Sequence, residues 1–326
     1  MFEQMFRQFR QAEIVLAIGA LAVVGLLFVP LPAWLLDICF ALNITLSVLI
    51  LTTVLFLPKA LDFSSFPTIL LLTTMFRLGL NVASTRLVLE QGHQSTAAAG
   101  HIIEAFGAFV MGGEFIIGLT IFLILVIINF IVITKGAGRI AEVAARFTLD
   151  SLPGKQMAID ADLNAGLIDQ EQARARRLEL EQETNFHGAM DGASKFVRGE
   201  AIAGLIITAL NIVVGITIGT VRHDMSFAAA ADNYVLLSVG DGLVAQIPAL
   251  IISIAAGILI SKSSNNEAVG RTVFAQFQSA RPFFVAAGLL AILGLLPGMP
   301  ILPFWLLGGI AGGIGYLLLQ QQQANK

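Results

Sequence analysis

The chain has 326 residues, of which 56% are hydrophobic and 13% charged, and a formal net charge of −3. Its mean hydropathy of +0.84 is far above that of a soluble globule of this size. That excludes a water-soluble domain and makes the bilayer the solvent; with 22 acidic against 19 basic residues, no nucleic-acid partner is expected.

Eight apolar stretches follow one another: Ile14 to Val29, Ala33 to Leu57, Phe66 to Leu89, Glu114 to Thr134, Ala201 to Val221, Asn233 to Ser261, Pro282 to Leu296 and Ile301 to Leu319. Most reach the ~20 residues a spanning helix needs, and the seventh, at about 15, is marginal. The expected fold is all-α, a polytopic membrane bundle of about eight transmembrane helices, with seven as the alternative. The first stretch follows a short basic segment but has no small-residue cleavage site, so it reads as an anchor. If the N-terminus is cytoplasmic, Arg7, Arg10, Lys59, Lys262, Arg271, Arg281 and Lys326 fall inside, and Arg222 outside. Both termini are then expected in the cytoplasm.

The second span holds the lone Cys39, which reads as packing. In the third, Arg77 stands about 11 residues or ~16 Å from the inner end, near mid-membrane. Thr74, Asn81 and Ser84 share its face at i, i+3 and i+4 spacing, which turns that face toward protein or a wet cavity. Arg86 lies on the opposite face near the outer interface, where snorkelling and burial are equally open. Glu90 to Gly113 reads as the longest outer loop.

Residues 1–134 thus carry four spans. Residues 135–199 then carry nine Lys or Arg and about as many acids, and read as a small helical cytoplasmic loop domain. Helices are expected over Gly138 to Leu149 and Asp169 to Met190, separated by a breaker at Leu152-Pro153-Gly154-Lys155. Asp160, Asp162, Asn164 and Glu171 have calcium-loop spacing, but Ala165 stands where the turn demands glycine, so they read as a helix start.

Residues 200–319 hold the last four spans. Glu200 opens the fifth, with an interfacial and a functional role both open. Asp241, between Gly240 and Gly242, lies roughly 12 Å from the outer end of the sixth, or about 18 Å above the inner edge of a ~30 Å core. That depth matches Arg77 and predicts an Arg77–Asp241 ion pair. Gly215 and Gly219, and Gly308-Gly309 with Gly312-Gly313, have small-xxx-small spacing, which serves packing within a bundle or between subunits. Residues 320–326 read as a linker. The histidines at 93, 101, 187 and 223 are dispersed, without metal-ligand or catalytic spacing, and no nucleophile or phosphate loop stands out; no enzyme is expected.

The blocks Met75 to Arg86, Arg146 to Asp150, Pro153 to Leu163 and Gly188 to Gly199 resemble the FHIPEP family of type III secretion export-gate proteins. The wording of Ile128 to Arg139 and Asp162 to Ile168 is closer to the family's flagellar branch than to its virulence injectisome branch. The resemblance implies a homo-oligomeric ring of nine in the bacterial inner membrane, beside other membrane components of the gate. It also implies a C-terminal cytoplasmic domain, beyond this chain, for substrates and chaperones. It implies coupling of export to the proton motive force, with protons and possibly sodium as the ion and no other cofactor. Family positions tied to coupling fall on Arg77, Arg86, Lys195, Glu200 and Asp241, and cytoplasmic loop function on Arg139, Arg146, Asp150 and Lys155. The family commonly has Asp where this chain has Glu200. A passive ring scaffold and a generic secondary transporter are the competing functions.

Overall fold

The computed structural model describes residues 14, 17–112, 115–262, 280–295 and 300–324. Arg7, Arg10, Arg271 and Lys326 lie outside the described residues. Among the described residues ten α-helices follow in order: α1 Ala17–Leu26, α2 Ala33–Phe56, α3 Phe66–Gln91, α4 His101–Met111, α5 Phe115–Ile127, α6 Lys135–Asn164, α7 Gln170–Arg222, α8 Phe227–Ser261, α9 Ala280–Gly294 and α10 Ile301–Ala324. No strand occurs among the described residues. Among the described residues six helical segments have the length and apolarity to cross a membrane; α1, α4 and α9 are shorter. The all-α polytopic bundle is therefore observed, with six helices among the described residues long and apolar enough to cross a membrane against the eight expected stretches.

The segment expected to be a loop domain is a helical hairpin continuous with the membrane helices. A π-helical stretch, Ile128–Thr134, joins α5 to α6 without interruption, and α7 runs for 53 residues through the expected start of the fifth span. Pro153 does not break α6. It removes one amide donor on an exposed helix face, where water can satisfy the freed carbonyl of Leu149. The true break is at Ala165 and Gly166, where Gly166 takes φ +71°, open to glycine at no steric cost. Asp169 then caps α7, accepting from Gln172 N at 2.7 Å while Gln172 Oε1 accepts from Asp169 N at 3.2 Å. Asp160 and Asp162 thus end a helix rather than start one. They bind Arg177 and Arg176 across the hairpin at 2.5 and 2.9 Å. Lys155 binds Glu183 at 2.9 Å, and Ile159, Ile168, Ala173 and Leu180 close a small core beneath these pairs.

The expected outer loop holds a second surprise. Within it α4 packs on α8, with backbones so close that a Cβ on Gly240 would stand 2.1 Å from Ile103 O, and one on Gly107 2.5 Å from Leu236 O. Asp37 of α2 caps α4, accepting from His101 N and Ile102 N at 3.0 Å each, so a carboxylate answers the unpaired amides and the positive end of the helix dipole. Gly240 serves this approach, and α8 stays helical through the Gly240-Asp241-Gly242 triplet. Gly215 and Gly219 likewise let α7 approach the ring of Tyr234 in α8, so their small-residue spacing serves packing within the bundle.

Residues 265–326 form a separate compact unit. There Gly308, Gly312 and Gly315 of α10 face Ala287 and Phe283 of α9, whereas Gly309 and Gly313 have nothing within 4 Å. The two overlapping glycine motifs therefore point to different sides of α10.

Substituting Gly240 tests the α4–α8 crossing. Gly240→Ala puts a methyl against a backbone carbonyl that cannot rotate away, so a loss of about 1–3 kcal/mol is expected. The readout is a lowered Tm of the detergent-solubilised protein, with Gly204→Ala, where no atom lies within 4 Å, as the neutral control.

Candidate functional site

The interior of the main unit is polar where α3, α5, α7 and α8 meet. Arg77 on α3 is 1% exposed, and its Nε lies 2.9 Å from Oε1 of Glu200 on α7, itself 6% exposed. The contact is a close ion pair rather than an aligned hydrogen bond, since Nε meets no acceptor at hydrogen-bond angle. Arg77 Nη2 donates to Thr74 Oγ1 at 3.4 Å, and Thr74 donates to Leu70 O at 2.7 Å. Glu200 is thus buried in the bundle, not at the interface. The expected Arg77–Asp241 pair is not formed: Arg77 takes Glu200, and Asp241 has no ion-pair partner among the described residues.

Asp241, 2% exposed, belongs to the same site by another route. Glu200 and Asp241 both line a cavity of about 50 Å³, with Asn81, Asn129, Thr208 and Gln246. At roughly 10–15 Å³ per water it has room for about three to five. Glu200 Oε2, Asp241 Oδ1, Asn81 Oδ1 and Asn129 Oδ1 have no hydrogen-bond partner among the described residues.

The two carboxylates occupy different depths. A Cβ on Gly242 would stand 3.2 Å from Thr208 Oγ1, so Asp241 is level with Thr208, eight residues or ~12 Å along α7 from Glu200. The far wall agrees, because Ser84, which lies beside Asp241 and donates to Asn81 O at 3.0 Å, is seven residues or ~10 Å along α3 from Arg77. Asn81 lies between the levels. Pro248 in α8 leaves the carbonyl of Val244 without its helical donor, one turn from Asp241. The arrangement is two buried acids about 12 Å apart, joined by amides, a hydroxyl and space for water. It suits proton or cation movement along the helix axes. Among the described residues no group of three or more His, Cys, Asp or Glu could hold a metal.

Other expected residues lie elsewhere. Arg86 donates to Phe28 O at 3.2 Å, beyond the end of α1. Lys195 binds Asp191, four residues back in α7, at 2.7 Å on an exposed face. Arg139 and Asp150 are exposed on α6, as is Arg146, which lies 3.5 Å from Glu142; Lys155 is held by Glu183. Sequence reasoning passed over Asn129, Thr208, Gln246 and Asp37. A lone amide inside the apolar run of the fourth span was the available signal for Asn129. The dispersed histidines include one pair the chain brings together: the rings of His93 and His223 stack at 3.5 Å, connecting the ends of α3 and α7.

Long apolar helices enclosing a shared acidic cavity define a multi-pass membrane protein with an ionisable interior. The chain belongs to the FHIPEP family, which it matches over residues 23–326. It is 54% identical over 320 residues to the flagellar biosynthesis protein FlhA of Caulobacter vibrioides, covering 97% of this chain and 45% of that protein. It is also 54% identical over 304 residues to FlhA of Salmonella typhimurium, covering 93% and 44%. To the putative flagellar export/assembly protein LfhA of Escherichia coli O44:H18 it is 52% identical over 305 residues, covering 93% and 44%. The chain therefore spans less than half the length of the relatives it matches. No solved structure matches it.

The ion pair can be tested by its non-additivity. Arg77→Met should cost about 3–5 kcal/mol by stranding a buried carboxylate, while Arg77→Met with Glu200→Met should recover most of it. Tm values in detergent of the two single variants and the double variant decide the matter; additive losses would show that the two charges do not interact.

Proposed function

We propose that this chain is the membrane part of a flagellar type III protein export gate in the bacterial inner membrane, coupling the proton motive force to export of flagellar proteins. The observation that carries the reading is the cavity shared by Glu200 and Asp241. Charged groups are expensive in apolar surroundings, and acids placed at two depths along one polar path are suited to passing protons. The names of the relatives, flagellar biosynthesis and flagellar export/assembly, favour the flagellar branch over the injectisome branch.

In this reading the α6–α7 hairpin lies in the cytoplasm and meets neighbouring subunits of a ring or other gate components. Its exposed Arg139, Arg146 and Asp150 support that role, since none is spent on the ion pairs that close the hairpin. Substrates and chaperones engage a further cytoplasmic domain. The competing reading is a passive scaffold whose buried charges only hold helices together. It is favoured by one observation, the Arg77–Glu200 pair, but leaves Asp241 without a purpose.

The two readings separate on titration. Placed at the chromosomal locus, Glu200→Asp should keep at least about half of wild-type motility, and Glu200→Gln and Asp241→Asn should each lower it ten-fold or more. The same neutral variants should abolish the proton leak of vesicles carrying the overproduced protein. A leak equal to wild type in Glu200→Gln and Asp241→Asn would leave the scaffold as the explanation. Charge reversal at Arg146 or Asp150 should block export while membrane levels stay normal; wild-type motility in both would count against the hairpin as a contact surface.

A further inference from the structure

Among the residues whose side chains are described, those that α5, the π stretch and α6 turn inward are Gly118, Phe122, Val126 and Asn129, then Thr134, Gly138, Ala141 and Ala145. Their spacings are four, four and three, then five, then four, three and four. The five-residue step falls within the π-helical stretch Ile128–Thr134. In an unbroken α-helix five residues turn through about 500°, leaving Asn129 about 140° from the inward face while the hairpin stripe stays in place. The wider π turn absorbs that residue and keeps both stripes inward. Such turns are uncommon and concentrate at functional sites. Here the side chain immediately above the five-residue step is an amide in an otherwise apolar run.

Asn129 is 6% exposed and its Oδ1 has no partner among the described residues. Its depth follows from Phe122, whose ring would stand 2.8 Å from a Cβ on Gly242 and so is level with Asp241. Asn129 is seven residues further along, ~10 Å toward the hairpin, close to the level of Glu200. Arg77 holds Oε1 of Glu200, while Glu200 Oε2 and Asn129 Oδ1 are both unpartnered and both side chains line the same cavity.

We infer that Asn129 is a positioning residue for the proton carried at Glu200, held at the cavity by the π turn. The inference rests on the proton-coupling reading of the cavity. An amide suits the task because it never titrates and serves both states of the acid. Its Nδ2 donates to an ionised carboxylate, and its Oδ1 accepts from a protonated one, directly or through one water. Arg77 can stabilise only the ionised form. With Asn129 present, Glu200 has a hydrogen-bonding neighbour on either side of the transfer, so neither state is left with a stranded polar group.

The test is proton leak in vesicles carrying the full-length protein, read as amplitude and as pH of half-maximal leak, for wild type, Asn129→Leu, Asn129→Gln and Glu200→Gln. Asn129→Leu should lower the amplitude about five-fold, as loss of one ordinary hydrogen bond does, and displace the half-maximal pH by half a unit or more. Asn129→Gln, which keeps the amide, should restore the wild-type pH profile. If Asn129→Leu does not accumulate in the membrane, Asn129→Ala carries the same comparison. An unchanged profile in Asn129→Leu beside a lost leak in Glu200→Gln overturns this inference and leaves the coupling reading intact. A reduced amplitude at an unchanged half-maximal pH, not recovered by Asn129→Gln, also overturns it, since packing alone would do that. A leak that persists unchanged in Glu200→Gln removes the coupling reading and this inference with it.

Discussion

The main unit is arranged around a guanidinium that has no route to water. Arg77 is fully enclosed, and a lone charge in apolar surroundings costs several kcal/mol even after relaxation. That cost dictates the neighbourhood. A carboxylate must come to it, so α7 passes through the bundle with Glu200 facing α3. Polar side chains must stand near it, which accounts for Thr74, in contact with it, and Asn81 on the same face of α3, while Ser84 continues that face to the level of Asp241. The remaining helices must seal it, and they do so by close approach, with glycines at Gly107, Gly215, Gly219, Gly240 and Gly242 where a larger residue would hold the backbones apart.

Much of this architecture is visible in the sequence, because burial in lipid leaves long apolar runs and helix is the conformation that satisfies an open backbone there. Hydropathy reaches its limit where helices exceed the bilayer or fall short of it. The 53 residues of α7 would extend about 80 Å at the helical rise, far beyond a ~30 Å core, so its apolar part gave no hint that the polar part is the same helix. With 11 residues, α4 is too short to register as a span, and it hides among the polar residues of an expected loop. Pro153 misled for a different reason. A proline signals a break only where its freed carbonyl has no other partner, and on the exposed side of a hairpin water provides one.

The site was legible in its parts and not in its pairing. Arg77, Glu200 and Asp241 stand out in a sequence because ionisable residues in apolar runs are rare. Matching them by depth failed, since depth was counted from the ends of apolar stretches, and a 35-residue helix such as α8 need not end at the membrane surface. Counting between observed contacts instead puts Asp241 about 12 Å from Glu200 along the helix axes, and Arg77 with the latter. Asn129, Thr208 and Gln246 were harder still. Each is a neutral residue of ordinary type, and only the meeting of four helices turns them into a cavity wall.

The continuity of α5, the π stretch, α6 and α7 has a mechanical consequence. The hairpin is no separate module on a flexible linker, since both of its arms enter the bundle as unbroken helices. Three cross-hairpin ion pairs and a small apolar core tie the arms together at their far ends. One arm leads to Asn129 and the other to Glu200, on adjoining walls of one cavity. A helix resists bending and compression over a few turns, so the exposed face around Arg146 and Asp150 and the cavity wall that holds Asn129 lie on one stiff path. The weakest link in that path is the π stretch, whose wider turn has poorer backbone geometry than the α-helix on either side. That stretch holds Asn129 at the cavity wall, so the polar site sits at a non-α turn between two stiff helical segments.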